Sequence, residues 1–442
     1  MWYCDWSMKI KYNYIKKNLI LCTILILILS TIQSGLPVKI QLKELENEAY
    51  NSQAMPSKSW TLIAYLIGDS IRFDGTVIQY INQMEEIGSN SNINIVVQAD
   101  YYEENDGNTI RYFIRNKSTG GSELVENLGE IDMGKPESLY NFANWAIENY
   151  PADHYSLVTY GVGNGWMGGL RDESDMSLKG FQNSLQNINK NLGKKIDLLI
   201  MLSCYMGMIE VCYQIKDYVN YYIATEAGYT DNQFSFYEAT SILTNYFSHD
   251  SLEITQKIVN KSHDNNNKHL LYGMDFSKID NATSAVNDLA EIGKEYIDDR
   301  ETINNAFNQA AVYSPTLNPY PYDIIEIAEC YKSSFPKESS KCEDIIDKIN
   351  DFLIKPNGEI FREHWNVISI YFSDEKDSDD MYLYKQLDFA KNSLWLSFLE
   401  EYYKSSSTRK IYRNILDLLS NINKDHHRIF YNIFEYLNLI NK

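Results

Sequence analysis

Short apolar runs alternate with segments of helical spacing through the first half of the chain. Strands separated by helices of about a dozen residues are typical of βαβ units, so the pattern predicts an α/β protein with a mainly parallel sheet. The predicted strands cover residues 60–67, 93–98, 155–160, 196–202 and 221–225, with 110–116 as a hairpin partner. The predicted helices cover residues 77–87, 139–149, 178–192 and 206–218.

Beyond about residue 235 the apolar pattern becomes mostly helical. One further strand, predicted over residues 367–372, is expected to join an edge of the sheet. We therefore expect an α/β core over 58–235 and a helical subdomain with one returning strand over 236–403. A helical tail is expected over 404–442.

The N-terminal segment has the pattern of an export signal. Lysines precede an apolar run over residues 19–32, and Ser34 and Gly35 follow it. A bilayer-spanning helix needs about 20 residues, which is more than this run supplies. We interpret residues 1–36 as a secretory signal and expect a secreted or extracytoplasmic protein. A membrane anchor through residues 19–32 stays open as the alternative.

The charge balance limits the kinds of partner that the chain can bind, and the number of cysteines limits its disulfide content. The chain has 60 acidic and 40 basic residues and a formal net charge of -20. Such a chain repels nucleic acid and favours basic peptides or divalent cations. Four cysteines beyond the N-terminal segment are too few for a disulfide framework, although Cys330 and Cys342 are close enough in sequence to pair in an exported protein.

Two strand ends carry candidate chemistry. A glycine-rich turn with Gly161, Gly163, Gly165 and Trp166 follows the strand that ends at 160, and Cys204 follows the strand that ends at 202. Function gathers at the carboxyl ends of parallel strands. A thiol just before the helix predicted from residue 206 would have a lowered pKa. The alternative is a packed core cysteine, because free cysteine is often buried.

Several spaced segments resemble the clostripain family of caspase-related cysteine peptidases. The likeness covers roughly residues 58 to 403 and implies a caspase-like three-layer α/β/α sandwich. It also implies a Cys–His dyad that commonly cleaves after Arg or Lys. The matching segments are WTLIAY at 60–65 with the following Gly68-Asp69, GEIDMGKP at 129–136, WAIENYPA at 145–152, residues 197–226, and SIYF at 369–372.

Carried over by this resemblance, the nucleophile falls on Cys204 and the histidine position falls on Val162. The family has Asp-x-Cys-Leu-Met where this chain has Leu202-Ser203-Cys204-Tyr205-Met206, and His-Gly-x-Gly-Trp where this chain has Val162-Gly163-Asn164-Gly165-Trp166. Valine cannot transfer a proton. His154 precedes that position by eight residues and is expected about 20 Å away, at the far end of its strand. The other histidines belong to the later half: His249, His263, His269, His364, His426 and His427.

Substrate and cofactor contacts follow from the same resemblance. The family's acidic pocket for a basic side chain falls after the fifth strand, where Asp231, or second to it Glu226, would pair with a bound arginine. A solvated loop acid is the alternative for both. Some family members need calcium, so calcium stays open as a cofactor. Glu103, Glu104 and Asp106 form an acidic loop, but their spacing matches no calcium motif and favours a solvated charge run.

Two classes of function follow. The first hypothesis is a degenerate clostripain-like scaffold, with Cys204 kept and the histidine replaced by Val162, that binds a peptide or protein ligand without cleaving it. The alternative is an active cysteine endopeptidase that cleaves after Arg or Lys with an unrecognised base. A third hypothesis is redox or thioester chemistry at Cys204 that needs no histidine.

Overall fold

The computed structural model describes residues 57–68, 73–229, 234–264, 271–312, 321–357, 368–373 and 378–404. Residues 1–36, the tail beyond residue 404, and Asp231 therefore lie outside the described residues. The strands are β1 (Lys58–Leu66), β2 (Ile93–Ala99), β3 (Ile110–Ile114), β4 (Ser122–Asn127), β5 (Ala152–Tyr160), β6 (Val162–Gly163), β7 (Gly168–Arg171), β8 (Met176–Ser177), β9 (Ile196–Leu202), β10 (Val219–Ala224), β11 (Tyr272–Asp275), β12 (Pro321–Asp323), β13 (Leu353–Ile354) and β14 (Ser369–Tyr371).

A mainly parallel sheet forms the centre of the molecule. Among the described residues it has nine strands in the order β13-β11-β10-β9-β5-β1-β2-β3-β4. The five strands from β10 to β2 pair in parallel, whereas β3 and β4 at one edge and β11 and β13 at the other pair antiparallel. The parallel core confirms the fold class that the apolar runs predict. It also brings the ends of β5 and β9 side by side, with Tyr160 opposite Leu202.

Helices cover both faces of the sheet. Successive strand residues point to opposite sides, so each face has its own apolar side chains to bury. Leu62 and Ala64 belong to one buried apolar cluster, and Ile63 and Tyr65 belong to the other. The helices are α1 (Asp74–Ile87), α2 (Pro136–Asn149), α3 (Leu178–Leu192), α4 (Ile209–Ile215), α5 (Phe236–Asn245), α6 (Ser251–Asp264), α7 (Ile279–Glu295), α8 (Arg300–Ala310), α9 (Ile324–Ser334), α10 (Ser339–Phe352), α11 (Ser378–Tyr384) and α12 (Asp388–Asn392). Helices α1, α5 and α6 contribute residues to the Leu62 cluster, and the others pack on the Ile63 side or farther out.

The strand predicted over 367–372 forms as β14, but it does not join the edge of the large sheet. It pairs antiparallel with β12 in a separate two-stranded sheet. The edge beside β10 is occupied instead by β11 and β13, which return from the helical half of the chain. Those two strands have only four and two residues. They are too short for a period-two pattern to reveal them, which is why the sequence assigned the edge to the longer apolar run.

The helical half packs on the core through an aromatic cluster. Phe307 of α8 stacks on Phe372 with ring centroids 3.7 Å apart, and Trp395 and Phe398 lie against the same ring system. These rings belong to the same buried cluster as Ile63 of β1. The helical residues that the structure describes thus share one hydrophobic core with the sheet. None of the helices in the described part of the chain has the length and apolar character needed to cross a membrane.

Gly88 shows how tightly the loops are fitted to the sheet. It ends α1 with φ +68°, a conformation that L residues rarely adopt, and a Cβ atom there would lie 2.0 Å from the amide nitrogen of Asn116. We expect Gly88→Ala to lower the free energy of unfolding by about 2–3 kcal/mol, since both strain and overlap oppose it. Chemical denaturation measures the change.

Gly75→Ala is the matched control for Gly88→Ala. Gly75 lies in the first turn of the same helix, and a Cβ atom there would have no neighbour within 4 Å. Alanine favours a helix over glycine by up to about 1 kcal/mol, so this variant is expected to be at least as stable as the parent. Equal unfolding midpoints for the two variants would contradict the fitted-loop interpretation.

Candidate active site

Cys204 lies in a turn at the carboxyl edge of the sheet. β9 ends at Leu202, Ser203 is buried, and Cys204 is half-buried. The next residue, Tyr205, adopts φ +62°, and α4 begins only at Ile209. The prediction of a helix from residue 206 was therefore wrong at its start. A positive-φ turn and an extended Met208 separate the thiol from the helix along the chain.

The glycine turn packs directly on the cysteine. A Cβ atom at Gly163 would lie 2.2 Å from the Cys204 carbonyl oxygen and 2.7 Å from its amide nitrogen, so only glycine fits there. Gly163 pairs with Gly169 in a small sheet formed by β6, β7 and β8. Trp166 is buried behind the turn and packs edge-on against Tyr371 at 5.1 Å between ring centroids. The structure thus brings together the two strand ends that the sequence singled out.

Gly161 and Gly165 complete this turn in different ways. Gly161 joins β5 to β6, and a Cβ atom there would make ordinary contacts at 3.5 Å with Ile67 and Leu170. Gly165 adopts φ +57°, and a Cβ atom there would lie 2.6 Å from the Met208 sulfur. Packing therefore restricts Gly165 and Gly163 far more than Gly161.

Val162 occupies the position in this turn that the family resemblance assigns to the histidine. It lies in β6 opposite Arg171 and is half-buried. Its side chain carries no proton donor or acceptor. The edge therefore presents a thiol at 204 and an aliphatic group at 162.

The two histidines whose side chains the structure describes lie elsewhere. His154 is at the start of β5, where its Nδ1 atom lies 2.9 Å from an oxygen of Asp197 and its ring stacks on Trp60. Tyr160 lies six positions after His154 along the strand, which is a span of about 20 Å. His249 lies beside Glu253 at the start of α6. His263 lies within α6, and the structure does not describe its side chain; His269, His364, His426 and His427 lie outside the described residues.

A loop that follows β10 closes over the thiol. The amide of Tyr229 donates a hydrogen bond to Cys204 Sγ at 3.2 Å. The hydroxyl of Tyr229 lies 2.8 Å from that of Tyr80, which fixes the loop to α1. The amides of Tyr205 and Gly207 donate to carbonyl oxygens of the same loop at 2.9 and 2.7 Å. Nothing in the sequence pointed to Tyr229, because its contribution comes from a backbone amide.

Glu226 is placed on this loop, but its carboxyl is buried. It lies next to Asp323, which begins α9, and only 9% and 3% of the two residues are exposed. Burial, followed by the neighbouring carboxyl of Asp323, raises the pKa of Glu226 well above its usual range. Burial also raises the pKa of Asp323, to about 7. These surroundings favour the protonated form of Glu226, and a neutral carboxyl is a weak partner for a guanidinium group.

Glu210 is a second buried carboxyl, and it supports the site from behind. Its Oε1 atom accepts hydrogen bonds from the Tyr371 amide at 2.9 Å and from the Tyr384 hydroxyl at 2.8 Å. Both tyrosine rings contact Trp166, so Glu210 is linked to the glycine turn through them. Burial raises the pKa of Glu210 to about 7. The sequence held a signal for it, since Glu210 is the only charged residue between positions 198 and 215.

One group of carboxylates at the same edge has the spacing of a cation site. Oxygens of Asp100, Glu130 and Asp172 all lie within 4.8 Å of one another, and oxygen donors of this kind suit calcium, which takes six to eight of them. The group lies beside the Tyr65 hydroxyl, and burial together with the charges of Asp172 and Asp100 raises the phenol pKa well above its usual value. The three carboxylates would supply part of a calcium shell. The acidic loop of Glu103, Glu104 and Asp106, which the sequence favours as a solvated charge run over a calcium site, is exposed.

The other three cysteines among the described residues are free thiols. Cys212 is fully buried in α4, and burial raises its pKa above the usual range. Cys330 and Cys342 lie on α9 and α10 and form no disulfide in the structure. The pairing that their sequence separation suggested is therefore not formed.

The chain resembles known proteins in sequence and in fold. A model of the clostripain family, peptidase family C11, matches residues 65–402. Clostripain of Hathewaya histolytica is 26% identical over 211 residues, which is 40% of this chain. The match spans 39% of that curated relative, about two-fifths of its length.

Two solved structures share the fold. One is a secreted C11 cysteine protease from Bacteroides thetaiotaomicron in complex with an irreversible peptide inhibitor. It has a TM-score of 0.55 and 15% identity, over 76% of this chain and 98% of that chain. The other is an inactive zymogen C11 protease from Parabacteroides distasonis, with a TM-score of 0.56 and 17% identity over 77% and 99% of the two chains. The likeness agrees with the caspase-like arrangement of sheet and helices.

The buried Glu210 carboxyl makes stability depend on pH. Its folded pKa of about 7 is above its ordinary value of 4.5, so stability falls as pH rises from about 4.5 to 7 and then levels off. Glu210→Gln keeps an acceptor for Tyr371 and Tyr384 and removes the titration. We expect the variant to match the parent at pH 5 and to exceed its free energy of unfolding at pH 8 by roughly 1–3 kcal/mol.

Denaturation curves at pH 5 and pH 8 measure this difference. Glu148→Gln is the control, since it removes an exposed carboxyl from the surface of α2. An unchanged pH dependence in Glu210→Gln, or a loss of stability at pH 8, would show that Glu210 is not held neutral by burial.

Proposed function

The chain belongs to the clostripain family of cysteine peptidases, and we propose that it is a degenerate member that binds a peptide or protein without cleaving it. The observation that carries this proposal is Val162. It stands beside the glycine that packs on Cys204, in the turn where the family has its histidine. The rest of the turn is kept, together with the buried Trp166 and the thiol.

The missing imidazole removes both proton transfers of the reaction. In a Cys–His dyad the imidazole holds the thiol as its thiolate and then protonates the leaving amine. Cys204 has a backbone amide of Tyr229 as a hydrogen-bond donor to its sulfur, but an amide does not accept a proton from it. Losing a general acid–base costs roughly 10²–10⁴-fold in rate. The scaffold is thus left with a thiol between the glycine turn and the loop that follows β10, and we propose this edge as the binding cleft.

Peptides with basic side chains are the ligands that we propose for this cleft. The formal net charge of -20 attracts them, and Asp231 follows the loop that closes on Cys204. Glu226 contributes less than the sequence suggested, because it is buried beside Asp323. We further propose that the protein acts outside the cytoplasm, on the basis of the signal pattern in residues 1–36.

Restoring the histidine tests whether Val162 is what prevents catalysis. We expect residues 36–442 to hydrolyse fluorogenic Arg and Lys peptides no faster than Cys204→Ala. Val162→His is expected to gain turnover of at least 10²-fold over the parent, and Val162→His with Cys204→Ala is expected to lose it. Each variant is assayed with calcium and with a chelator, which also tests the Asp100 group of carboxylates.

Binding is measured on the same proteins. Fluorescence anisotropy of labelled Arg peptides is expected to saturate with the parent and with Cys204→Ala alike, since binding does not need the thiol. Parent turnover that disappears in Cys204→Ala would instead establish an active endopeptidase. Alanine variants of His263, His269, His364, His426 and His427 would then identify the base that replaces position 162.

A further inference from the structure

The loop that covers Cys204, residues 225–229, is held to the cysteine turn by backbone contacts. The amides of Tyr205 and Gly207 donate to carbonyl oxygens of this loop at 2.9 and 2.7 Å. A Cβ atom at Gly207 would lie 2.7 Å from the Glu226 amide nitrogen, so turn and loop touch directly. A force that displaces Glu226 therefore acts on the cover of the thiol.

The same segment meets the helical half of the chain at a buried carboxyl pair. The carbonyl oxygen of Gly207 accepts a hydrogen bond from the Ser369 amide at 3.1 Å, and Ser369 of β14 is the direct strand partner of Asp323 in β12. Gly207 thus contacts the Glu226 backbone and a residue paired with Asp323. A hydrogen bond joins the carboxyls of Glu226 and Asp323, and it connects the loop over Cys204 to the strand before α9.

A hydrogen bond between two carboxyls needs a proton on one of them, because an ionised carboxylate only accepts. Glu226 Oε2 and Asp323 Oδ2 are buried, and no donor in the described part of the chain hydrogen-bonds to either oxygen. Buried polar atoms are rarely left in that state. A proton shared between the two carboxyls resolves it, whereas two ionised carboxylates at this position would repel each other.

The surroundings assign the proton to Glu226. Asp323 Oδ1 accepts the Glu326 amide at 2.8 Å in the first turn of α9, where a helix N-terminus favours a negative charge. Lys355 adds a positive charge on the Asp323 side, and the Glu326 carboxylate adds a negative charge that opposes ionisation of Glu226. The pair also faces the Tyr272 phenol of β11, which stays neutral because burial raises its pKa above the usual range.

We propose that Glu226 and Asp323 form a proton-dependent latch that holds the loop over Cys204 closed while they share a proton and releases it when that proton is lost. Two charges would then lie side by side without a donor, and the loop is the part that moves, because Asp323 is fixed in β12 and at the start of α9. The latch acts at the edge that we propose as the binding cleft, but it requires neither binding nor cleavage there.

The direction of the pH effect follows from the raised folded pKa of Glu226. The closed loop is favoured at low pH and loses stability as pH rises through that folded value. The protonated and ionised forms therefore correspond to a closed and a released loop.

Hydrogen exchange of the full chain, followed by mass spectrometry from about pH 6 to about pH 10, tests the latch. Protection in segments 203–209 and 225–229, corrected for the intrinsic exchange rate at each pH, is expected to fall at least about tenfold in the parent as pH rises. Glu226→Gln keeps a donor to Asp323 and does not titrate, so its protection is expected to stay constant. Glu329→Gln removes an exposed carboxylate from the same α9 helix and, as the matched control, is expected to follow the parent.

Asp323→Asn is a second variant without the repulsion, and it is expected to show constant protection because asparagine also caps a helix. Modification of Cys204 by iodoacetamide is followed in the same samples. The parent is expected to react faster than Glu226→Gln at the alkaline end and equally fast near pH 6.

The proposal is overturned if the parent keeps the protection of Glu226→Gln at every pH, or if Cys204 reacts equally in the two proteins throughout. It is also overturned if added sodium, potassium or calcium ions govern the protection at fixed pH, since the pair would then hold a metal ion in place of the proton. These readouts need no peptide ligand, so they separate the latch from the proposed function.

Discussion

The close approach of the Gly163 backbone to the Cys204 backbone is the contact on which the site depends. It joins the loops that follow two adjacent parallel strands, β5 and β9, and it leaves no room for a side chain. This contact positions the glycine turn and the cysteine relative to each other. The turn is supported from behind by Trp166, and the cysteine is covered from the other side by the amide of Tyr229.

Two buried carboxyls lie near the contact between Gly163 and Cys204. Glu210 is linked to Trp166 by two tyrosines whose rings contact the tryptophan. Glu226 belongs to the loop that reaches the thiol, and its carboxyl lies beside Asp323. Burial raises the pKa of each carboxyl, because a charge in that environment would lack compensation. Glu210, whose pKa is about 7, is therefore partly protonated at neutral pH.

The sequence predicts the parallel core and the meeting of the two strand ends, because long apolar runs specify buried strands and parallel strands align their carboxyl ends. It could not predict β11 and β13, which are too short to show a period. It also misplaced the start of α4, since the positive φ of Tyr205 is imposed by the packing of the turn. The raised pKa of Glu226 depends on its burial and on Asp323, which is 97 positions away in the chain, and no local pattern contains such a pairing. Glu210 differs from Glu226 in this respect, because an isolated charged residue inside an apolar segment is visible in the local sequence.

The fit of the glycine turn has a consequence for how such a site changes over time. Gly163 is fixed by the cysteine backbone and Gly165 by a left-handed conformation, so substitutions at either position disturb the fold. Position 162, in contrast, is only half-buried. Selection for a folded protein therefore constrains the two glycines more directly than it constrains position 162. In such a turn the backbone geometry can outlast any one side chain at that position, because folding depends on the glycines.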